Sequence, residues 1–93
     1  MDLSQKTIWK FSIEAADLFG VDMPEGSEIL SVQEQHGKPC IWALVDPGRK
    51  KVNRTFCIYG TGHPVGNVES KKFIGTFQLA GGNLVFHLFE LVG

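Results

Sequence analysis

The chain has 93 residues, is 43% hydrophobic and 20% charged, and carries a formal net charge of −1. That makes one globular domain over residues 1–93, apolar enough not to stay disordered and long enough to bury a modest core without metals or disulfides. The near-neutral charge argues against a dedicated nucleic-acid binder, two cysteines are too few for a secreted disulfide framework, no signal-peptide pattern opens the chain, and no apolar run approaches a membrane span.

Thr7 to Ile13 alternates, with Trp9, Phe11 and Ile13 on one face and Lys10 and Ser12 on the other, which is a half-buried strand. Glu14 to Phe19 is expected to form one or two helical turns around Ala15, Ala16 and Leu18. Met23-Pro24-Glu25-Gly26 reads as a turn. A second strand runs from Glu28 to Gln35, with Leu30 and Val32 as its apolar face, and Gln35-His36-Gly37-Lys38 closes a tight hairpin. Cys40 to Val45 is apolar on both faces, so it is expected either to lie centrally, covered twice, or to contribute to an oligomer interface.

Asp46-Pro47-Gly48 has strong turn chemistry, and the basic run Arg49, Lys50, Lys51 and Arg54 that follows reads as a solvated turn or as an anion-binding rim. Arg54 to Tyr59 is the fourth strand. Thr61 to Lys71, broken by Gly62, Pro64 and Gly66, is the longest irregular stretch. Lys72 to Leu79 is a fifth strand, in which Gly75 interrupts the face of Phe73, Phe77 and Leu79 and is expected to leave a gap. Ala80-Gly81-Gly82-Asn83 turns the chain into a last strand, Leu84 to Leu91, apolar on both faces. About six strands joined by short turns define an all-β fold, a small antiparallel barrel or a compact sandwich. The two doubly apolar strands carry more hydrophobic surface than one small core needs, which points to a homo-oligomer.

The stretch with the most functional character is Arg54 to Pro64. A strand stops at Gly60, and a loop with two glycines, a hydroxyl, an imidazole and a proline follows at once. Strand-end loops are held by the sheet yet stay reachable, and glycine lets a partner approach the backbone. Gly60, Thr61, Gly62, His63 and Pro64, with Arg54 for charge and Tyr59 and Trp42 as aromatic walls, form the candidate ligand-binding set. The loop lacks the ending of a phosphate loop, though its backbone N–H groups can still face an anion.

Catalytic chemistry finds no complete constellation. Cys57 lies mid-strand and His63 beyond the strand end, so a nucleophile–base pair is not expected. His36, His63 and His87 show no paired spacing, so neither a metal nor a cofactor is expected. Glu90 has no evident carboxylate partner, and Cys40 and Cys57 read as reduced thiols of a cytosolic protein, with a bridge between neighbouring strands open on register alone.

Six segments occur together in order: Thr7-Ile8-Trp9-Lys10-Phe11, Ile29-Leu30-Ser31-Val32-Gln33, Trp42-Ala43-Leu44-Val45-Asp46, Tyr59-Gly60-Thr61-Gly62-His63-Pro64, Gly75-Thr76-Phe77-Gln78-Leu79, and Leu84-Val85-Phe86-His87-Leu88-Phe89-Glu90. From Lys6 to Glu90 the chain resembles a family of short uncharacterised proteins of bacteriophages and of bacterial genomes carrying prophages. The resemblance transfers no catalytic residue. It implies an accessory protein acting in the host cytoplasm, a non-enzymatic binder that counters a bacterial defence system. Its partner would be a small anionic, nucleotide-type signal that it sequesters or a host defence protein that it occludes. A structural or assembly role in the virion is the alternative.

Overall fold

The structure is a computed structural model and describes residues 5–92. Among these, seven strands follow one another: β1 Thr7–Ser12, β2 Leu18–Pro24, β3 Glu28–Gln35, β4 Lys38–Val45, β5 Lys51–Gly60, β6 Lys71–Leu79 and β7 Leu84–Leu91. They form two antiparallel sheets, β1-β4-β3 and β2-β5-β7-β6, stacked as a sandwich rather than closed as a barrel. The Cα trace measures 49 × 31 × 15 Å. Its short dimension is that of two sheets lying about 10 Å apart.

The seventh strand, β2, corrects the helical turn expected over Glu14–Phe19. The Ala16 N–H bonds the Glu14 carbonyl at 2.8 Å, a tight turn and not a helical one. From Leu18 the chain then pairs continuously with β5, from Leu18↔Cys57 to Pro24↔Lys51. Phe19, Val21 and Met23 alternate toward the core, so burial on β5 overrides the local preference of the alanines. The turn that follows falls one residue later than expected: the Ser27 N–H bonds the Pro24 carbonyl at 3.1 Å, with Gly26 at φ 81°.

The core joins both layers. Ile13, Val32 and Ile41 come from the smaller sheet and its flank, and Met23, Phe56, Ile58, Phe77 and Leu88 from the larger. β4 is central in the smaller sheet, and β7 is one of the two central strands of the larger. The two sheets approach closely where β3 meets β6. There Gly75 leaves no gap: a Cβ at that position would stand 3.0 Å from Val32 Cγ1, so the missing side chain is what admits Val32. Both strands bulge at this meeting, between Ile29 and Ser31 and between Phe73 and Gly75.

Cys40 and Cys57 are buried free thiols. They lie on β4 and β5, in different sheets, so no bridge between neighbouring strands forms. Among the described residues no helix is long and apolar enough to cross a membrane.

Candidate functional site

The loop after β5 begins as a tight turn. The His63 N–H bonds the Gly60 carbonyl at 3.1 Å, and Gly62 sits at φ 90°, the positive value that this turn requires at its third residue. The turn is pinned to the sheet on two sides. The Thr61 N–H bonds the Val85 carbonyl at 3.3 Å, and Thr61 Oγ1 lies 2.7 Å from His87 Nε2. The other ring nitrogen, Nδ1, lies 2.9 Å from Thr76 Oγ1. His87 therefore makes two hydrogen bonds and joins the turn, β7 and β6.

Because β5 and β6 flank β7, residues 61–70 must carry the chain past β7 to start β6 at the far end. A short 3-10 turn at Val68–Ser70 closes this passage, and the Val92 N–H bonds the Ser70 carbonyl at 2.9 Å. Lys71 ties it down: its Nζ donates to the carbonyls of Gly66 and Asn67.

A cleft of about 540 Å³ opens along the last residues of β5. Cys57, Tyr59 and Gly60 lie along its floor, Ala15 to Leu18 form one wall, and His63, Lys71 and Leu91 form the other. Tyr59 packs edge-on against Phe89 at 5.7 Å, and Phe89 against Phe73 at 5.4 Å. Burial lifts the Tyr59 phenol above its ordinary value of 10.0, and Cys57 and Asp17 push it the same way. The His63 ring folds back over Gly60, where a Cβ would come within 3.1 Å of it.

The structure thus brings Tyr59, Gly60 and His63 to one cleft. Thr61 pins the turn, while Gly62 and Pro64 are exposed beyond it. Arg54 and Trp42 stand elsewhere. Arg54 points between the sheets and grips Glu90 with two prongs, Nε to Oε2 at 2.6 Å and Nη2 to Oε1 at 2.7 Å, while Nη1 donates to the Ser27 carbonyl. Trp42 lies on β4 in the other sheet, with Lys10 Nζ 5.9 Å from its ring centre. The basic run disperses as well: Arg49 pairs with Glu25 at 3.0 Å.

The sequence reading missed Lys71 and residues 15–18. Lys71 carries no local signal, because only the passage past β7 brings it to the cleft. Residues 15–18 hid behind the expected helical turn. Among the described residues no group of histidines, cysteines and acids converges in a way that could hold a metal ion.

The fold and cleft define an all-β sandwich with a concave strand-end site. The sequence matches, over residues 4–93, the family described as domain of unknown function DUF7352, and the chain belongs to that family. No curated protein and no solved structure matches it.

Proposed function

We propose that this protein is a non-catalytic binding protein of bacteriophage origin that counters a host defence by occluding a host protein, with the cleft at the end of β5 as its binding place. The observation behind this reading is the fate of Arg54. A phosphate-binding site at the strand end would draw on that guanidinium, and Glu90 and the Ser27 carbonyl already occupy it. What lines the cleft instead is mostly apolar side chain, with Lys71 offset by Asp17. Such a lining carries little net field for a multiply charged anion and suits the surface of a protein. Occlusion of a host protein is therefore better supported than sequestration of a nucleotide-type signal. The phage setting, the host cytoplasm and the counter-defence role rest on the sequence resemblance.

The test is affinity capture by the full chain from lysates of the bacterial host, beside a Leu18→Asp variant, which puts a charge on the cleft wall. The expected result is one host protein retained by the natural chain and released by the variant. Equal retention by both, or none by either, would overturn the reading. So would a nucleotide mass on the purified protein in native mass spectrometry, or its presence in purified virions.

A further inference from the structure

β2 leaves its ladder with β5 unfinished. The two strands pair from Pro24↔Lys51 to Leu18↔Cys57, and one more bond follows, from the Ile58 N–H to the Asp17 carbonyl at 3.2 Å. The chain then peels away. Ala16 N–H turns back to Glu14, and Ala15 and Ala16 become the wall of the cleft instead of a partner for β5. On the opposite side β5 keeps pairing with β7 as far as Gly60↔Phe86, and the Thr61 N–H still reaches Val85. The last residues of β5 therefore have a neighbouring strand on one side only.

The groups left over follow from the alternation of an antiparallel ladder, in which a residue sends both of its backbone groups to the same neighbour and the next residue sends both to the other. The bond from Thr61 to Val85 sets the phase: residues 57, 59 and 61 face β7, and residues 58 and 60 face the β2 side. The bond from Ile58 to Asp17 fixes the same phase independently. On the β2 side the Ile58 N–H goes to Asp17, and the Gly60 carbonyl accepts from His63. The Ile58 carbonyl and the Gly60 N–H have no hydrogen-bond partner among the described residues, and both residues line the cleft. Ile58 is only 7% exposed. A backbone group without a partner in such a place costs free energy that an incoming strand recovers.

We propose that the cleft takes an extended segment of the partner protein, added as a strand to the free edge of β5. One residue of that segment, lying beside Tyr59, donates its N–H to the Ile58 carbonyl and accepts from the Gly60 N–H. An acceptor and a donor that flank one residue along a strand have the spacing of a β-ladder, not of one small functional group. Side chains of the added strand alternate, so one row lies against the cleft's apolar wall at Leu18. This inference rests on the reading of the protein as a binder of a host protein and specifies how it binds.

The test is selection of a random linear heptapeptide library on the full-length protein, followed by NMR titration with the selected peptide. The expected result is a peptide that shifts the Gly60 amide and slows its hydrogen exchange at least about tenfold, the worth of one hydrogen bond otherwise left unmade. N-methylation of one peptide amide abolishes binding, and methylation of its two neighbours does not. Gly60→Pro, which removes the N–H at an edge position where proline is tolerated, binds about tenfold or more weakly than Gly60→Ala, which brings the same Cβ against His63 but keeps the N–H. If Gly60→Pro does not fold, the N-methyl scan carries the test alone. Failure to select a peptide, a peptide that shifts other residues, or equal binding by a folded Gly60→Pro variant would overturn the proposal. A dimer of this chain that Gly60→Pro dissolves would make a second copy the occupant and overturn it too. A host protein captured through Leu18 with Gly60 exchange unchanged would leave the proposed function standing and end this inference alone.

Discussion

The two ends of β5 treat their polar groups in opposite ways. Near its start, Arg54 turns inward, and Glu90, itself 7% exposed, meets it with both carboxylate oxygens. The Ser27 carbonyl takes a third contact, and β2 and β5 pair without interruption around it. Near its end, β2 has already departed, the turn at Gly62 is held by Thr61 and His87, and two backbone groups of the strand face a cleft. The charge that looks functional in sequence is spent on structure. The groups open to a partner belong to the backbone and become visible only when the ladder is followed residue by residue.

Breaking the closed end carries the largest expected effect. Arg54→Ala leaves the Glu90 carboxylate buried without its partner and lowers stability by about 3–5 kcal/mol, read as a lower midpoint in chemical denaturation. The double variant Arg54→Met, Glu90→Leu recovers most of that loss, because the cost lies in the orphaned charge. If Arg54→Ala costs less than about 1 kcal/mol, the pair behaves as a solvated surface contact and the contrast between the two ends weakens.

At the open end the effects shrink. His87→Ala removes the bonds to Thr61 and Thr76 and costs about 1–2 kcal/mol, with faster amide exchange over residues 61–66. An unchanged exchange pattern would mean that His87 does not hold the turn. Leu18, 63% exposed, contributes little to the fold, so Leu18→Asp changes stability by less than about 0.5 kcal/mol while abolishing partner capture. A large loss of stability there would make the cleft wall part of the core.

The finest probe is the single tyrosine of the chain, whose ultraviolet titration reports Tyr59 alone. Partial burial raises its pKa, so its midpoint lies above 10 in the folded protein and returns to the ordinary value on unfolding. Since the folded value is the higher one, the stability linked to this group is intact below the unfolded pKa and is lost as pH rises through the folded value. A folded midpoint at or below 10 would place the phenol in bulk water and remove it from the cleft floor.

Much of the fold was legible because period-two alternation is local. Trp9-Phe11-Ile13 and the doubly apolar runs Cys40–Val45 and Leu84–Leu91 announce their strands, and His36-Gly37, both at positive φ, make the hairpin that the sequence expects. β2 is not legible in the sequence, because Gly20 and Pro24 interrupt it and two alanines precede it, though Phe19, Val21 and Met23 keep the alternation throughout. Gly75 looked like a vacancy since its occupant, Val32, comes from the other sheet. The site was half legible. A glycine-rich strand end marked Tyr59, Gly60 and His63, whereas the partner of Arg54 lies 36 residues away and Lys71 arrives only by the passage past β7. Pairings across that distance leave no trace in local pattern.

Residue-resolved amide exchange along β5 in the free protein tests the central contrast most directly. The account predicts slow exchange at Cys57, Tyr59 and Thr61, whose N–H groups are committed to β7, and at Ile58, held by Asp17, with fast exchange at Gly60 alone. Gly60 exchanging as slowly as its neighbours would mean that the ladder is complete, and the open edge on which the proposed binding mode depends would not exist.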